Sequence, residues 1–315
     1  MANYLVTGAF GLIGNRVRTM LEAAGDRVVP IDVVRETEDG LPIVRADVRD
    51  IHRLHAVAIA EGPFDAIIHC GALSGPMLAR DEPTLIVDIN FGGTAALLEL
   101  ARIHEVPRFV VCSSTSAYGP TPAGLPLVPE TVPLSPNTVY GATKAALEAL
   151  LHGYASEHGL SGVALRISFV YGPRRTTDCD IREMILSGLG GRTYRRAAGA
   201  DFYRQFIHVD DAARALILAA KAETTGARIY TVTGGSRHTM AEIVEMVRAA
   251  VPAFEAEIGP GIGAGDTILE RFDISAAARD LGYRPSVDLK EGIAAYAAWL
   301  SARREGAPAA PRSPR

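Results

Sequence analysis

Short apolar runs alternate with longer stretches of helical spacing through the first half of the chain. Runs at residues 4–7, 28–31, 66–70, 108–112 and 163–167 place apolar side chains at consecutive positions, the pattern of strands buried on both faces. Between them, residues 12–24, 83–104 and 139–158 carry apolar side chains three and four positions apart, the spacing of one helix face. This alternation predicts a parallel sheet with helices on both sides, a doubly wound α/β fold. Past residue 168 the rhythm breaks. The glycine-containing stretches 188–191 and 259–265 and the arginine-rich stretch 192–196 separate shorter elements, which predicts a smaller, mixed α/β region suited to substrate recognition. The tail 306–315 has too little apolar content to order itself.

The first strand runs directly into Gly8-Ala9-Phe10-Gly11-Leu12-Ile13-Gly14 and then into a helix. Glycines at this spacing suit a tight strand-to-helix turn in which backbone N–H groups and the helix N-terminus approach a pyrophosphate. Asp32 ends the second strand, where a carboxylate accepts the hydroxyls of an adenine ribose and repels a 2′-phosphate, so NAD is expected over NADP. Arg35 is either a solvated loop charge or a partner for that phosphate. Asp47 and Val48 follow a short third strand; Asp47 either lines the adenine with Val48 or caps the helix that begins near Asp50.

Tyr140-Gly141-Ala142-Thr143-Lys144 sets a phenol and an ammonium four positions apart, on one face of a helix. An ammonium beside a phenol favours the phenolate, which makes Tyr140 a candidate acid/base for a carbinol proton. The fifth strand ends in Cys112-Ser113-Ser114-Thr115-Ser116-Ala117-Tyr118-Gly119, placing hydroxyls at the carboxyl edge of the sheet, where open α/β folds bind ligands.

With these motifs come Asn90-Phe91-Gly92-Gly93-Thr94, Leu165-Arg166, Val170-Tyr171-Gly172-Pro173 and Arg204-Gln205-Phe206-Ile207-His208-Val209-Asp210-Asp211. Together they resemble the extended short-chain dehydrogenase/reductases of the NAD-dependent epimerase/dehydratase family, the sugar-nucleotide 4-epimerases in particular. The resemblance implies a Rossmann-type NAD-binding domain over 1–167, to which the chain returns at 206–233, and a substrate-binding region over 168–205 and 234–305. It implies Ser114 as the catalytic hydroxyl, Tyr140 as the group that takes or gives the proton, and Lys144 as the holder of the nicotinamide ribose. By the same resemblance Asn90 shapes the cofactor pocket, its bland alternative being a helix cap, and the strand end through Gly71 and Ala72 passes the NAD backbone. Ser74, Thr115, Ser116, Phe169, Arg174 and Arg204 are then expected around the substrate, and NAD is the implied cofactor.

The chain also departs from the family. Its sugar dehydratases carry an Asp-Glu pair after the catalytic hydroxyl and its decarboxylases a glutamate two positions before the motif tyrosine, whereas this chain has Thr115 and Ser116 there. Without a second acid/base, epimerisation or simple oxidoreduction is favoured over elimination. Sugar-nucleotide members hold the diphosphate with an asparagine after the sixth strand and a loop arginine; here Phe169 and the glycine-rich 263–265 stand instead. Arg204, with Arg174, Arg175, Arg192, Arg195 and Arg196 nearby in sequence, still predicts an anionic substrate. The leading expectation is an epimerase of a nucleotide-linked or other anionic sugar. The alternatives are a dehydrogenase of a free sugar or sugar acid and a noncatalytic NAD-binding sensor.

Composition narrows the partners. The 315 residues are 48% hydrophobic and 22% charged with a net charge of −4, an ordinary globular balance without a basic field for nucleic acid. No uninterrupted apolar stretch reaches the roughly 20 residues of a membrane span. Cys70, Cys112 and Cys179 form no metal-ligand spacing, and no metal is expected; with no signal-peptide pattern at the N-terminus, the chain is expected to be a reduced, cytoplasmic protein. Cys70 and Cys112 are expected to pack as small apolar groups. The acidic pair Asp210 and Asp211, beside His208, is expected to open a helix. Leu147, Leu150, Leu151 and Tyr154 widen the apolar stripe of their helix, so the helices 83–104 and 139–158 are expected either to pair two copies in a homodimer or to lie under the smaller region.

Overall fold

The computed structural model describes residues 1–34, 43–75, 78–264 and 266–305. Arg35, Gly265 and the expected disordered tail lie outside the described residues. The first half runs β1 (Asn3–Thr7), α1 (Leu12–Ala23), β2 (Arg27–Asp32), β3 (Val44–Arg45), α2 (Ile51–Glu61) and β4 (Ala66–His69). It continues through α3 (Pro83–Val87), a π-helical turn (Asp88–Gly92), α4 (Gly93–Ile103), β5 (Phe109–Ser114), a 3₁₀ turn (Thr115–Ala117), α5 (Val139–His158) and β6 (Gly162–Ile167). The second half runs β7 (Phe169–Tyr171), α6 (Asp180–Leu189), β8 (Tyr194–Arg196), β9 (Tyr203–Arg204), β10 (Phe206–His208) and α7 (Val209–Lys221). It closes with β11 (Ile229–Val232), β12 (His238–Thr239), α8 (Met240–Ala250), β13 (Ala256–Ile258), α9 (Ser275–Leu281) and α10 (Leu289–Glu305).

Seven strands form one parallel sheet in the order β11-β6-β5-β4-β1-β2-β3. Its strands send alternate side chains to two cores, which is why they read as unbroken apolar runs. In β5, Val110 and Cys112 enter one core with Val17 and Leu21 of α1 and Leu216 of α7; Phe109 and Val111 enter the other with Leu54 of α2, Leu98 of α4 and Leu147 of α5. A third core gathers Met184, Ile185, Ile243, Val247, Ile293 and Tyr296 from α6, α8 and α10, with Tyr171 of β7 and Phe206 of β10. The unit from α3 through the π turn to α4, Pro83–Ile103, has the length and apolar content of a membrane-crossing helix. Its inner residues Ile86, Leu97, Leu98, Leu100 and Ala101 are buried, so within this fold it is a core helix.

Strand order reverses between β1 and β4, and their carboxyl ends open the crevice where doubly wound sheets take ligands. β5 runs two residues beyond the expected end, through Ser113 and Ser114, which carries Ser114 to that edge. α5 starts at the same edge: Thr138 caps it by accepting from Gly141 N at 3.0 Å, and Gly159 ends it at φ 71°.

Candidate active site

The glycine turn is built by close approach. Gly8 stands at φ 62°, and a Cβ there would lie 2.7 Å from the backbone of Gly71; a Cβ on Gly14 would lie 2.0 Å from Gly8 O. Gly11 is the N-cap of α1 and offers no side-chain cap, and the first turn holds no acidic residue, so its orphan N–H groups face the crevice free for an anion. Leu12 and Ile13 pack against the sheet core behind them. Asp32 accepts from Phe10 N at 3.0 Å and from Val33 N at 2.7 Å, which sets a carboxylate beside the turn. These features fit a dinucleotide: backbone donors at the pyrophosphate and a carboxylate at the ribose.

Asp47 does not cap α2. Asp50 does, accepting from Arg53 N at 3.0 Å, while Asp47 binds the Arg49 backbone and guanidinium, which holds its carboxyl below the ordinary carboxylate range. The helix start lies three residues later than a cap at Asp47 requires. Val48 is buried between Gly71 and Gly93, so it braces the loop after β4.

Asn90 is no helix cap either. It sits in the π turn, 1% exposed, accepting from Leu73 N at 2.8 Å and donating to Leu73 O at 3.1 Å, and so straps the loop after β4 that carries Gly71, Ala72 and Ser74. A buried relay that sequence reasoning missed supports this strap. Thr94 donates to Asn90 O at 2.6 Å, so its oxygen is left to accept from His69 Nε2–H at 3.2 Å. His69 Nδ1 then accepts from the Thr7 hydroxyl at 2.6 Å, whose oxygen takes Gly71 N–H at 3.2 Å. Burial holds the imidazole pKa down to about 3, so it stays neutral and keeps one tautomer. The polar end of the apolar run 66–70 was the available signal.

Ser114, Tyr140 and Lys144 line one chamber with Ile13, Ala72 and Ser74. Lys144 is 4% exposed; its ammonium donates to Cys112 O at 2.8 Å and stands 5.7 Å from the centre of the Tyr140 ring. One donor is thus spent on the strand, and the others are available to a ligand. Ser114 Oγ accepts from Ser116 N at 3.1 Å, which orients the hydroxyl as the strand turns. Cys70, just past β4, and Cys112 of β5 line the same chamber as free thiols in contact, 3.6 Å apart. Below it, Glu148 and Arg166, each 5% exposed, form a paired bridge that also takes the Ser113 hydroxyl.

A larger cavity of about 280 Å³ opens from Thr115, Ser116 and Phe169 toward α6 and the loop at Asp266. Hydroxyl and amide groups from Thr138, Asn137, Ser168 and Gln205 line it, with Asp180, Glu183 and Arg204. The arginines do not form one anion patch, because most of them are engaged within the protein, Arg196 and Arg204 both beside Asp180. Arg204 Nε lies 3.3 Å from Asp180, with its guanidinium over Phe169 and Phe202. Arg195 pairs with Glu257, and Arg196 with Asp266. Arg175 lines the catalytic chamber and donates to the carbonyls of Val170, Thr177 and Asp178. Arg174 stands at φ 70° in the turn after Gly172 and is not among the residues that line the chamber or the larger cavity. His208 caps α7, accepting from Asp210 N at 3.2 Å; Asp210 pairs with Arg16, and Asp211 holds Ser286 and Val287.

The model of the NAD dependent epimerase/dehydratase family matches residues 4–233, which takes in the glycine turn, the chamber and α7. The chain belongs to this family. Across it, three different reactions stand close to the chain. It is 30% identical to a dTDP-glucose 4,6-dehydratase of Streptomyces griseus, over 95% of this chain and 94% of that protein. The structure of UDP-glucose 4-epimerase from Thermus thermophilus in complex with NAD superposes at a TM-score of 0.82, with 28% identity, covering 94% of this chain and 98% of that one. A partial-consensus L-threonine 3-dehydrogenase superposes at 0.86, with 26% identity, covering 95% and 99%. The family is NAD dependent and the chain presents the matching turn and carboxylate, so NAD is the cofactor and the protein an enzyme of oxidoreductase type.

Proposed function

We propose that this enzyme transfers hydride at a carbinol carbon of a sugar, as an epimerase of a nucleotide-linked or other anionic sugar. The observation that carries this is the chamber in which Ser114, Tyr140 and Lys144 meet at the carboxyl edge of the sheet, beside the uncapped α1 N-terminus. Tyr140 takes the hydroxyl proton, Ser114 orients that oxygen, and Lys144, tied to Cys112 O, stands by the ring as the fixed positive charge. Bound NAD would supply the hydride acceptor and donor. For epimerisation the keto sugar turns over and accepts hydride on its other face. Thr115 and Ser116 follow Ser114 without a carboxylate, which favours epimerisation over the elimination named for the Streptomyces relative.

A second reading, net oxidation of a free sugar or sugar acid, is favoured by Phe169 and Gly263 at positions where diphosphate partners are expected, and the likeness to a threonine dehydrogenase shows that the fold also serves a reaction on a small unlinked compound. Incubation with candidate sugars separates the two: an epimerase interconverts sugars with no net NADH, and stoichiometric NADH establishes the dehydrogenase. Tyr140→Phe is expected to lower turnover by ~10²–10⁴-fold in either case; unchanged turnover overturns the assignment.

We further infer the division of labour expected from sequence, NAD on 1–167 and 206–233 and substrate on the remainder up to 305. Pairing of two copies along α3 to α5 is supported by Val87, Ile103 and Val139, exposed at 41%, 49% and 41%; Leu147 and Leu151 are spent in the chain's own core. Sedimentation as a monomer at micromolar concentration refutes the pairing. The three free thiols support a reducing, cytoplasmic setting.

A further inference from the structure

The register of β4 on β5 pairs Ile67 with Phe109, Ile68 with Val110 and His69 with Val111, so the next residues, Cys70 and Cys112, are opposed. Neighbouring strands lie about 4.7–4.9 Å apart, within the roughly 4.4–6.8 Å between Cα atoms that a disulfide spans. The two sulfurs are already in contact at 3.6 Å, and both thiols are free. They pack at the edge of the first core, as small apolar groups do. Both nevertheless line the chamber of Ser114, Tyr140 and Lys144, and Cys70 is partly exposed, so a small solute reaches the pair. Cys179, the third thiol, is buried in the third core. Each member of the pair is tied to a different part of the cofactor site. Cys70 N donates to Thr7 O at 3.1 Å and leads into Gly71, whose backbone lies so close to Gly8 that a Cβ on Gly8 would come within 2.7 Å of it. Cys112 O accepts from the Lys144 ammonium at 2.8 Å.

We propose that Cys70 and Cys112 are an oxidation site: they join in a reversible disulfide that weakens NAD binding, and bound NAD in turn shields them. The proposal requires only that NAD is the cofactor, so it is independent of which sugar is converted. With hydrogen peroxide as the oxidant, the Cys112 thiolate attacks one peroxide oxygen, breaking the O–O bond and forming a sulfenic acid as hydroxide leaves; the proton given up by the Cys112 thiol makes that hydroxide water. The Cys70 sulfur then attacks the Cys112 sulfur, and its proton leaves with the displaced hydroxyl as a second water. Two thiols are thereby oxidised to one disulfide, and one peroxide is reduced to two waters. The adjoining Cys70 thiol and the Lys144 ammonium hold the Cys112 thiol below its ordinary pKa against the effect of burial, which favours this order of attack. Bond formation closes the sulfur separation from 3.6 Å to about 2 Å and draws the start of the loop after β4 toward β5. Gly71 follows Cys70, and the close Gly8–Gly71 contact passes the shift to the glycine turn. If oxidation lowers NAD affinity by a given factor, NAD must oppose oxidation by the same factor. In a reducing setting such a pair stays as thiols until an oxidant rises.

The test treats the full-length protein with hydrogen peroxide in two arms, stripped of NAD and loaded with it, and reads non-reducing peptide maps by mass spectrometry and NAD affinity by calorimetry. In the stripped arm a linked Cys70–Cys112 peptide is expected with at least a tenfold loss of NAD affinity, and dithiothreitol is expected to remove the link and restore the affinity. In the loaded arm the link is expected to form at least tenfold more slowly. Cys70→Ala and Cys112→Ala are each expected to keep, after peroxide, the NAD affinity they had before it. Absence of the linked peptide from the stripped arm overturns the proposal, whether the thiols stay reduced, pass to sulfinic acids or leave Cys179 alone to react. A link that leaves NAD affinity unchanged, a loss that dithiothreitol does not reverse, equal rates in the two arms, or a loss in the variants equal to that of wild type also overturns it. The wild-type arms depend on no variant and on no turnover, so a failure to convert any sugar defeats the hydride-transfer reading and leaves this result standing.

Discussion

Asp32 and His69 show how single side chains brace the crevice at the carboxyl edge of the sheet, Asp32 through backbone amides and His69 through two threonine hydroxyls. Asp32 was legible from its place at the end of the second apolar run; that it also accepts from Phe10 N was not, because that bond depends on how the glycine turn folds back on β2. Asp32→Ala is expected to raise KM for NAD about tenfold or more, with KM for NADP changed less and kcat at saturating cofactor nearly kept, as steady-state kinetics with the two cofactors will show. His69 gives a pH dependence. Its pKa is lowered in the folded protein to about 3 from 6.5, so below pH 6.5 the unfolded chain takes up a proton that the folded one refuses. The stabilisation is complete above pH 6.5 and is lost progressively as pH falls toward 3. Urea titrations across that window are expected to show a steeper fall for wild type than for His69→Gln, which offers a donor and an acceptor without a titrating ring.

At the scale of elements, α5 and the neighbouring strands β5 and β6 carry the chemistry and a buried charge pair on adjoining positions. Tyr140 and Lys144 face the chamber, and one turn later Glu148 meets Arg166 of β6 and Ser113 of β5. Arg166 also covers the ring of Tyr118 at 4.4 Å and donates to Glu130 O, so it joins the catalytic turn to the loop before α5. Arg166→Ala leaves a buried carboxylate unpaired and is expected to cost about 3–5 kcal/mol in denaturant unfolding. Arg166→Met with Glu148→Gln is expected to recover part of that loss, because the orphaned charge goes with its partner. The Tyr140-to-Lys144 spacing is a local property of a helix and was readable at once. The Glu148–Arg166 bridge was not, since it forms only when α5 packs on the sheet.

For the whole molecule, the decisive contacts join segments far apart in the chain. Asp211, 1% exposed in α7, accepts from Ser286 N at 3.0 Å and Oγ at 2.7 Å and from Val287 N at 3.1 Å, and so fixes the segment that leads into α10 and the third core. Asp211→Ala is expected to destabilise the protein by about 1–3 kcal/mol, since it removes at once the acceptor of three donors on the half-exposed Ser286–Val287 segment. Loosened protection in α10 relative to β1 and β4 by hydrogen exchange checks that the loss is centred there. By itself the sequence determined the doubly wound fold, the glycine turn, the place of Asp32 at the end of β2 and the shared face of Tyr140 and Lys144, because strand and helix periodicity and motif spacing act over a few residues; Ser114 was singled out by the resemblance to the family. Only the tertiary structure decided that Arg174 stays out of the cavities and that Asp50 caps α2. It also decided that His69 links β1 to α4 and that Arg196 meets Asp266. Those pairings depend on which segments the chain's return through the sheet and the third core brings side by side, and local spacing carries no record of that.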